Sequence, residues 1–236
     1  IVIGTHALLQ EDVAFSDLGL LVVDEQHRFG VRQRDELVRR AENAGHVPHV
    51  LHMTATPIPR SLALTVFGDL DVTMVAGAPA GRQPVVTRVV DEARRGEGYE
   101  FVRKQLREGR QVFVVCPAID ESDSISAASA VAESERLRAG EFRDFTVAVA
   151  HGQLKPAERE TVMAAFKSGE VDVLVATSLV EVGIDVPNAT VMLVEGAERF
   201  GLAQLHQLRG RVGRGTAQSY CLLFSGARTG SAQARL

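Results

Sequence analysis

The stretch "LGLLVVDEQHRFG", residues 18–30, leads from an apolar run directly into two adjacent carboxylates, Asp24 and Glu25. The run lacks the polar–apolar alternation of a half-buried strand, so it predicts a strand buried on both faces of a parallel sheet. In open parallel sheets, ligands bind beyond the carboxyl ends of the strands. We therefore expect Asp24 and Glu25 to project into a cleft. A solvated strand end or a helix cap is the alternative for an isolated acidic pair.

Similar apolar runs recur along the chain and alternate with amphipathic stretches of helical periodicity. Strands are predicted at 1–4, 18–23, 49–53, 85–90, 111–116, 146–150, 171–176, 190–194 and 219–224. Helices are predicted at 31–43, 99–108, 128–138, 156–168 and 202–209. Such alternation is typical of the α/β class, in which helices flank parallel sheets.

The stretch "AGAPAGRQPVV", residues 76–86, is rich in proline and glycine and has little to bury, so we interpret it as a linker. It separates residues 1–80, which resemble the latter part of a domain, from residues 81–228, which hold six strand candidates and resemble a complete domain. Residues 229–236 form a tail. Because the chain begins with Ile1 inside an apolar run, we expect it to be a piece of a longer protein.

The composition limits the classes of function. The chain has 236 residues, of which 45% are hydrophobic and 24% are charged, and its formal net charge is −4. Any contact with nucleic acid therefore has to be local. No signal peptide is evident and no apolar run reaches about 20 residues, so we expect a cytoplasmic protein without a membrane partner. Cys116 and Cys221 lie inside apolar runs and are expected to be structural thiols.

Two further stretches carry polar groups suited to phosphate chemistry. "HMTATPIPR", residues 52–60, places Thr54 and Thr56 after a predicted strand, although an ordinary turn explains such hydroxyls equally well. "QLHQLRGRVGRG", residues 204–215, interleaves arginines with glycines where a helical pattern ends. Glycine lets the backbone approach a ligand closely, and arginine donates paired hydrogen bonds to phosphate oxygens. A basic helix end that offsets its own dipole is the alternative.

Four segments resemble, in the correct order, motifs II, III, V and VI of the superfamily 2 helicases. They are "DEQH" at 24–27, "TAT" at 54–56, "ATSLVEVGIDVPNA" at 176–189 and "QLRGRVGR" at 207–214. "DEQHRFGVRQR" and "MTATPIPRSLALTVFGDLD" are similar, more narrowly, to the bacterial branch-migration helicases. The transcription-repair coupling translocase is the nearest alternative, but it usually reads "DEEH" where this chain has Gln26. A nucleic-acid-binding module without catalytic activity is the alternative from another class.

The resemblance implies RecA-like parallel sheets flanked by helices, with a partial first helicase domain followed by a complete second one. ATP and Mg²⁺ would bridge the two domains, with Asp24 orienting Mg²⁺ through water and Glu25 activating the attacking water. Arg211 and Arg214 would approach the γ-phosphate as arginine fingers, a role worth about 10³–10⁵ in rate. The other residues that the resemblance assigns to nucleotide binding are Gly183, Asp185 and Gln207.

The resemblance also implies residues that act on DNA. His27, Thr54 and Thr56 would couple the nucleotide state to the grip on DNA. The residues that would touch the DNA backbone are Thr5, His6, His151 and Thr177. Contacts of this kind position a strand without reading its sequence.

The activity implied is ATP-driven translocation on double-stranded DNA by a monomer of the bacterial cytoplasm. Its partners would be branched double-stranded DNA, such as forks and Holliday junctions, and single-strand-binding protein. The sequence departs from the family pattern in one respect. The pattern G-x-x-x-x-G-K-[ST], whose loop cradles the phosphates of ATP, does not occur in it. We therefore expect that the 236-residue chain does not hydrolyse ATP at a useful rate by itself.

Overall fold

Two units make up the chain, Ile1–Val72 and Thr73–Leu236. The computed structural model describes residues 1–9, 13, 15, 17–25, 48–54, 71–75, 81–117, 123–177 and 185–226, with the backbone alone at 6, 9 and 123–125. The helix predicted at 31–43 and part of the predicted linker lie outside the described residues.

The first unit contains a two-stranded parallel sheet. Strand β1 spans Leu20–Val23 and strand β2 spans His49–His52, with Val23 paired to His52 at the carboxyl end. A short 3₁₀ helix covers His6–Leu9. The strand predicted at 1–4 is wrong, because these residues form no ladder and Ile1 and Ile3 are exposed. An apolar run indicates a tendency to be buried, and it becomes a strand only where a partner strand is available.

The second unit is built on a six-stranded sheet in the order β3-β8-β7-β4-β6-β5, in which every pairing is parallel. Its strands are β3 (Val86–Asp91), β4 (Gln111–Val115), β5 (Val147–Ala150), β6 (Val173–Ala176), β7 (Ala189–Val194) and β8 (Tyr220–Ser225). Its helices are α1 (Arg95–Arg107), α2 (Asp123–Ala139), α3 (Pro156–Ser168) and α4 (Leu202–Arg209). None of these described helices has the length and apolar character needed to cross a membrane. The predicted α/β class is confirmed.

The sheet of the second unit is covered on both faces. Helices α3 and α4 contribute Phe166 and Leu208 to the core on one face, whereas α1 and α2 contribute Val102 and Leu137 to the core on the other. The central strands β4, β6 and β7 are buried at every position, as their predominantly apolar sequences predict. Strand β3 departs from that expectation because it lies at the edge of the sheet, where Val89 is 45% exposed. The prediction is also wrong for β1 of the first unit, which has one partner strand within the described residues and exposes two of its four side chains.

Helix α3 shows why some boundaries are readable from sequence. It begins with Pro156, whose fixed backbone angle suits the first helical position. It ends at Ser168 and is followed by Gly169, which adopts the left-handed conformation with φ of 86°. These two residues mark the helix at the bounds predicted from sequence.

Helix α1 packs closely against β8 at Gly98, which tests the tightness of this core. A methyl group on Gly98 would lie 2.7 Å from the Phe224 ring, whereas one on Gly96 would meet nothing within 4 Å. We expect Gly98→Ala to lower the free energy of unfolding of the second unit by about 1–3 kcal/mol, because the buried ring has to shift. Gly96→Ala, in the same helix, should leave stability unchanged or raise it by up to about 1 kcal/mol. Equal effects of the two substitutions in denaturant titrations would contradict the close packing.

The two cysteines are free thiols buried in the sheet of the second unit. Burial raises the pKa of both Cys116 and Cys221 to about 12. An unfolded thiol ionises at lower pH, so these groups make unfolding more favourable as the pH rises from about 9 towards 12. We expect iodoacetamide at about pH 8.5 to alkylate both cysteines only after denaturant is added, as judged by mass spectrometry. Labelling of either thiol in the native protein would show that its burial is incomplete.

Candidate functional site

The acidic pair of the first unit lies where the sequence predicts it. Asp24 and Glu25 directly follow β1, and Thr54 follows β2 by one residue. The Met53 amide donates to the Val23 carbonyl at 2.8 Å, which ties the two strand ends together. The structure therefore places Asp24, Glu25 and Thr54 at one edge of the sheet.

Glu25 has a backbone conformation that few side chains adopt. Its φ is 50°, in the left-handed region, and its amide donates to Asp24 Oδ1 at 2.8 Å. Such a conformation costs about 1–3 kcal/mol at a residue other than glycine and is concentrated at functional sites. Asp24 is exposed, so its carboxylate is accessible to water and to a hydrated cation. These features fit a water-mediated Mg²⁺ site.

Only part of the remaining set predicted for the first unit is described. Thr5 is exposed and orders the start of the 3₁₀ helix, since the Leu8 amide donates to its carbonyl at 3.0 Å. The side chain of His6 is not described, and His27 and Thr56 lie outside the described residues. Gly183 of the second unit lies outside them as well.

The carboxyl edge of the second sheet brings two predicted DNA-binding residues together. Ala150 of β5 pairs with Ala176 of β6, so the next residues, His151 and Thr177, are neighbours at the strand ends. His151 is half-buried and Thr177 is 7% exposed. The Nδ1 atom of His151 is buried and has no hydrogen-bond partner within the described residues.

The arginine-rich segment lies at the opposite, amino edge of the same sheet. Helix α4 ends at Arg209, and the loop of residues 210–219 then leads to the start of β8. A methyl group on Gly213 would lie 2.9 Å from Val85, just before β3, and one on Gly215 would lie 2.9 Å from the carbonyl oxygen of Pro187, just before β7. Because the strands are parallel, these residues share the amino edge. We call residues 210–219 the arginine loop.

The arginine loop carries one of the predicted nucleotide-binding contacts. Arg214 Nη1 lies 3.8 Å from Asp185 Oδ1, so the structure brings these two predicted residues together. The side chains are 31% and 63% exposed, and a pair this accessible contributes about 1 kcal/mol or less. Arg214 can therefore exchange this partner for a phosphate group at little cost. Arg211 lies in the same loop, three residues before Arg214, and Gln207 lies on α4. Both are half-buried.

The residues that shape this loop are not apparent from the sequence. Pro187 and Asn188 form a turn before β7, and Gly215 packs against the backbone of that turn. The glycine spacing indicates close approach of the backbone to some group, but not that the group is another segment of the chain.

The sequence matches two helicase families. Residues 97–216, half of the chain, match the family described as "Helicase conserved C-terminal domain", and residues 1–65 match "DEAD/DEAH box helicase". The chain therefore belongs to the helicases that carry the conserved C-terminal domain.

Within that class, the chain is similar to RecG along its whole length. It is 51% identical to the ATP-dependent DNA helicase RecG of Synechocystis sp. over 236 residues, which are 100% of this chain and 28% of the relative. It is 53% identical to the RecG of Thermotoga maritima over 226 residues, covering 96% of this chain and 28% of the relative. The chain thus spans less than a third of the length of these relatives.

A solved structure of RecG bound to a three-way DNA junction has the same fold. It superposes with a TM-score of 0.72 at 47% sequence identity and covers 99% of this chain and 29% of that protein. Together with the helicase families, this match confirms the RecA-like fold predicted from the motifs.

The contact between Gly213 and Val85 can be tested directly. Gly213 has φ of 76°, and its added methyl group would contact Val85 Cγ2. We expect Gly213→Ala to lower the free energy of unfolding by about 1–3 kcal/mol, because strain and overpacking act together. Adding Val85→Ala should recover part of that loss through removal of the Cγ2 contact. Gly226→Ala, which meets nothing within 4 Å, serves as the control; additive effects of Gly213→Ala and Val85→Ala would argue against the contact.

Proposed function

We propose that the chain is part of an ATP-dependent translocase of double-stranded DNA that remodels stalled forks and Holliday junctions in recombination and repair. The observation that carries the proposal is the end-to-end similarity to a RecG whose structure contains a three-way DNA junction. In this proposal, residues 1–80 are the C-terminal part of the first RecA-like domain and residues 81–228 are the second. Residues 229–236 form the tail that follows it.

Asp24 and Glu25 supply the acidic half of the chemistry. Asp24 would hold Mg²⁺ through water. Its Oδ1 accepts a hydrogen bond from the Glu25 amide, which keeps the two residues in a fixed relation. Glu25 accepts the proton of the water that attacks the γ-phosphate. Its left-handed backbone supports this role because strained conformations are concentrated at functional sites.

Arg211 and Arg214 supply the cationic half. When bound, ATP provides the phosphoryl group and its developing negative charge, which guanidinium groups stabilise. Arg214 leaves the weak pair with Asp185 to meet the phosphate, and Asp185 is then free to accept a hydrogen bond from another donor. Gly183 and Gln207 complete the nucleotide-binding set.

The carboxyl edge of the second sheet supplies contacts to the DNA backbone. His151 and Thr177 are adjacent there and contact the phosphates of a bound strand. Thr5 and His6 act on the same backbone from the first unit. The nucleotide state is transmitted to this grip through His27, Thr54 and Thr56. Branched DNA and single-strand-binding protein are the partners, and the protein acts as a monomer in the bacterial cytoplasm.

The proposal is tested by Glu25→Gln in the full-length protein that carries this chain. The amide keeps the shape of the side chain but cannot accept the proton, so we expect ATP affinity within about threefold of wild type. ATP turnover and the conversion of a synthetic three-way junction should fall by about 10²–10⁴. Nucleotide binding would be measured with a fluorescent ATP analogue and turnover by phosphate release.

Asp17→Asn is the matched control, because Asp17 is an exposed acid of the same unit outside the proposed site. It should leave both rates unchanged. If Glu25→Gln hydrolyses ATP at the wild-type rate, Glu25 does not activate the attacking water. If the wild-type protein hydrolyses ATP but does not act on branched DNA, the proposal that branched DNA is its substrate is wrong.

A further inference from the structure

A partly buried charged cluster lies at the carboxyl end of β7, outside the residues assigned to ATP or DNA. Glu195 follows β7 directly, and its side chain is 10% exposed. Its carboxylate pairs with Arg95 of α1 and accepts a hydrogen bond from the Tyr99 hydroxyl at 2.8 Å. Arg136 of α2 donates to the same hydroxyl at 2.6 Å and pairs with Glu133 at 2.6 Å. We call these five residues the Glu195 cluster.

The cluster is balanced in charge but costly to bury. It contains two arginines and two glutamates around one phenol. Burial raises the pKa of Glu195 above its ordinary value, and the Arg95 guanidinium opposes that rise. Buried ion pairs are often no more stabilising than well-packed apolar residues of the same size. An ion pair that adds little stability can still fix one geometry of the segments that it joins.

The chain changes faces of the sheet immediately after Glu195. The Glu195 side chain contacts α1, on the face covered by α1 and α2, whereas Ala197 belongs to the core on the α3 and α4 face. Gly196 makes this crossing in the left-handed conformation with φ of 57°, and Pro117 lies 3.3 Å from the position of its missing methyl group. Helix α4 begins at Leu202 on the new face. Glu195 is thus the last residue before this crossing, which leads to α4 through a 3₁₀ helix at Ala197–Arg199.

Helix α4 connects the two edges of the sheet. It starts next to the carboxyl edge and ends at Arg209, from which the arginine loop runs along the amino edge. Its 8 residues span about 12 Å at the usual rise per residue. A displacement of its first turn would therefore be carried to Arg211 and Arg214.

The start of α4 is also tied to the DNA-contact residues through the strand ends. The Glu195 amide donates to the Val115 carbonyl at 2.8 Å, and the Cys116 amide donates to the Ala176 carbonyl at 2.8 Å. Ala176 precedes Thr177 and pairs with Ala150, which precedes His151. The carboxyl ends of β7, β4, β6 and β5 are therefore linked by consecutive hydrogen bonds.

We propose that Glu195 is a positioning residue that holds the first turn of α4 in a fixed place relative to the carboxyl edge of the sheet. DNA binding at His151 and Thr177, on that edge, then sets the position of the arginine loop at the other end of α4. This inference rests on the proposed function, because it concerns the coupling of ATP hydrolysis to DNA. Glu195 itself touches neither nucleotide nor DNA.

The experiment replaces the buried pair by apolar residues of similar size, Arg95→Met with Glu195→Leu, in the full-length protein. We measure kcat and KM for ATP with and without a three-way DNA junction, together with the melting temperature. We expect the melting temperature to change by no more than about 5 °C. The ratio of DNA-stimulated to basal kcat should fall about tenfold or more, with KM for ATP unchanged, because the arginines are misplaced by a small distance.

The matched control is Arg103→Met with Glu141→Leu, which removes another ion pair that joins α1 to a different segment. It should leave the ratio at the wild-type value. If the double variant does not fold, Glu195→Gln is measured instead, and its ratio should fall about threefold or more through loss of the charge on the buried pair. A folded Arg95/Glu195 variant, or a folded Glu195→Gln protein, with wild-type stimulation would overturn this inference alone. A wild-type protein without DNA-stimulated hydrolysis would overturn the proposed function together with it.

Discussion

The second unit depends on one constraint: a parallel ladder whose central strands are buried on both faces. Every residue of β4, β6 and β7 is buried, and apart from Gln111 and Thr190 their side chains are apolar, which leaves little room for chemistry within the sheet. Polar function is confined to the two edges, where the chain leaves the ladder. The parallel order also keeps the edges distinct, because all carboxyl ends lie on one side and all amino ends on the other.

The two edges of this sheet carry different groups. His151 and Thr177 meet at the carboxyl edge, whereas Arg214 and Asp185 meet at the amino edge. Each pair is assembled from segments distant in sequence, and each is set by backbone contacts rather than by strong side-chain bonds. The exposed Arg214–Asp185 pair is weak, while the glycines that bring its loop close to Pro187 and Val85 tolerate little change. Geometry in this protein is held mainly by the backbone and the core.

The sequence predicts those features that depend on local chemistry. Pro156 and Gly169 mark both ends of α3, and the charged residues after β1 mark a strand end at Asp24. Helix α1 begins at Arg95 rather than at 99, because packing of Gly98 against Phe224 and of Arg95 against Glu195 outweighs the low helix propensity of the glycines.

The location of the arginine loop is a non-local feature. It follows from the strand order, which places β8 between β3 and β7, and nothing in the local sequence encodes that neighbourhood. Glu195 escapes notice for a similar reason. In the sequence, a carboxylate after an apolar run predicts an exposed strand end, as at Asp24. Only the structure shows that helices α1 and α2 cover the carboxylate of Glu195.

The exposed edge strand β3 has a consequence for the behaviour of the molecule in solution. Within the described residues β3 pairs only with β8, so its outer side presents backbone amides and carbonyls together with Val86 and Val89. Such an edge is a template on which a strand from another molecule can assemble. Arg88, in the middle of the strand and exposed, would have to give up water for that contact to form. An exposed charge of this kind disfavours pairing of the edge with another strand.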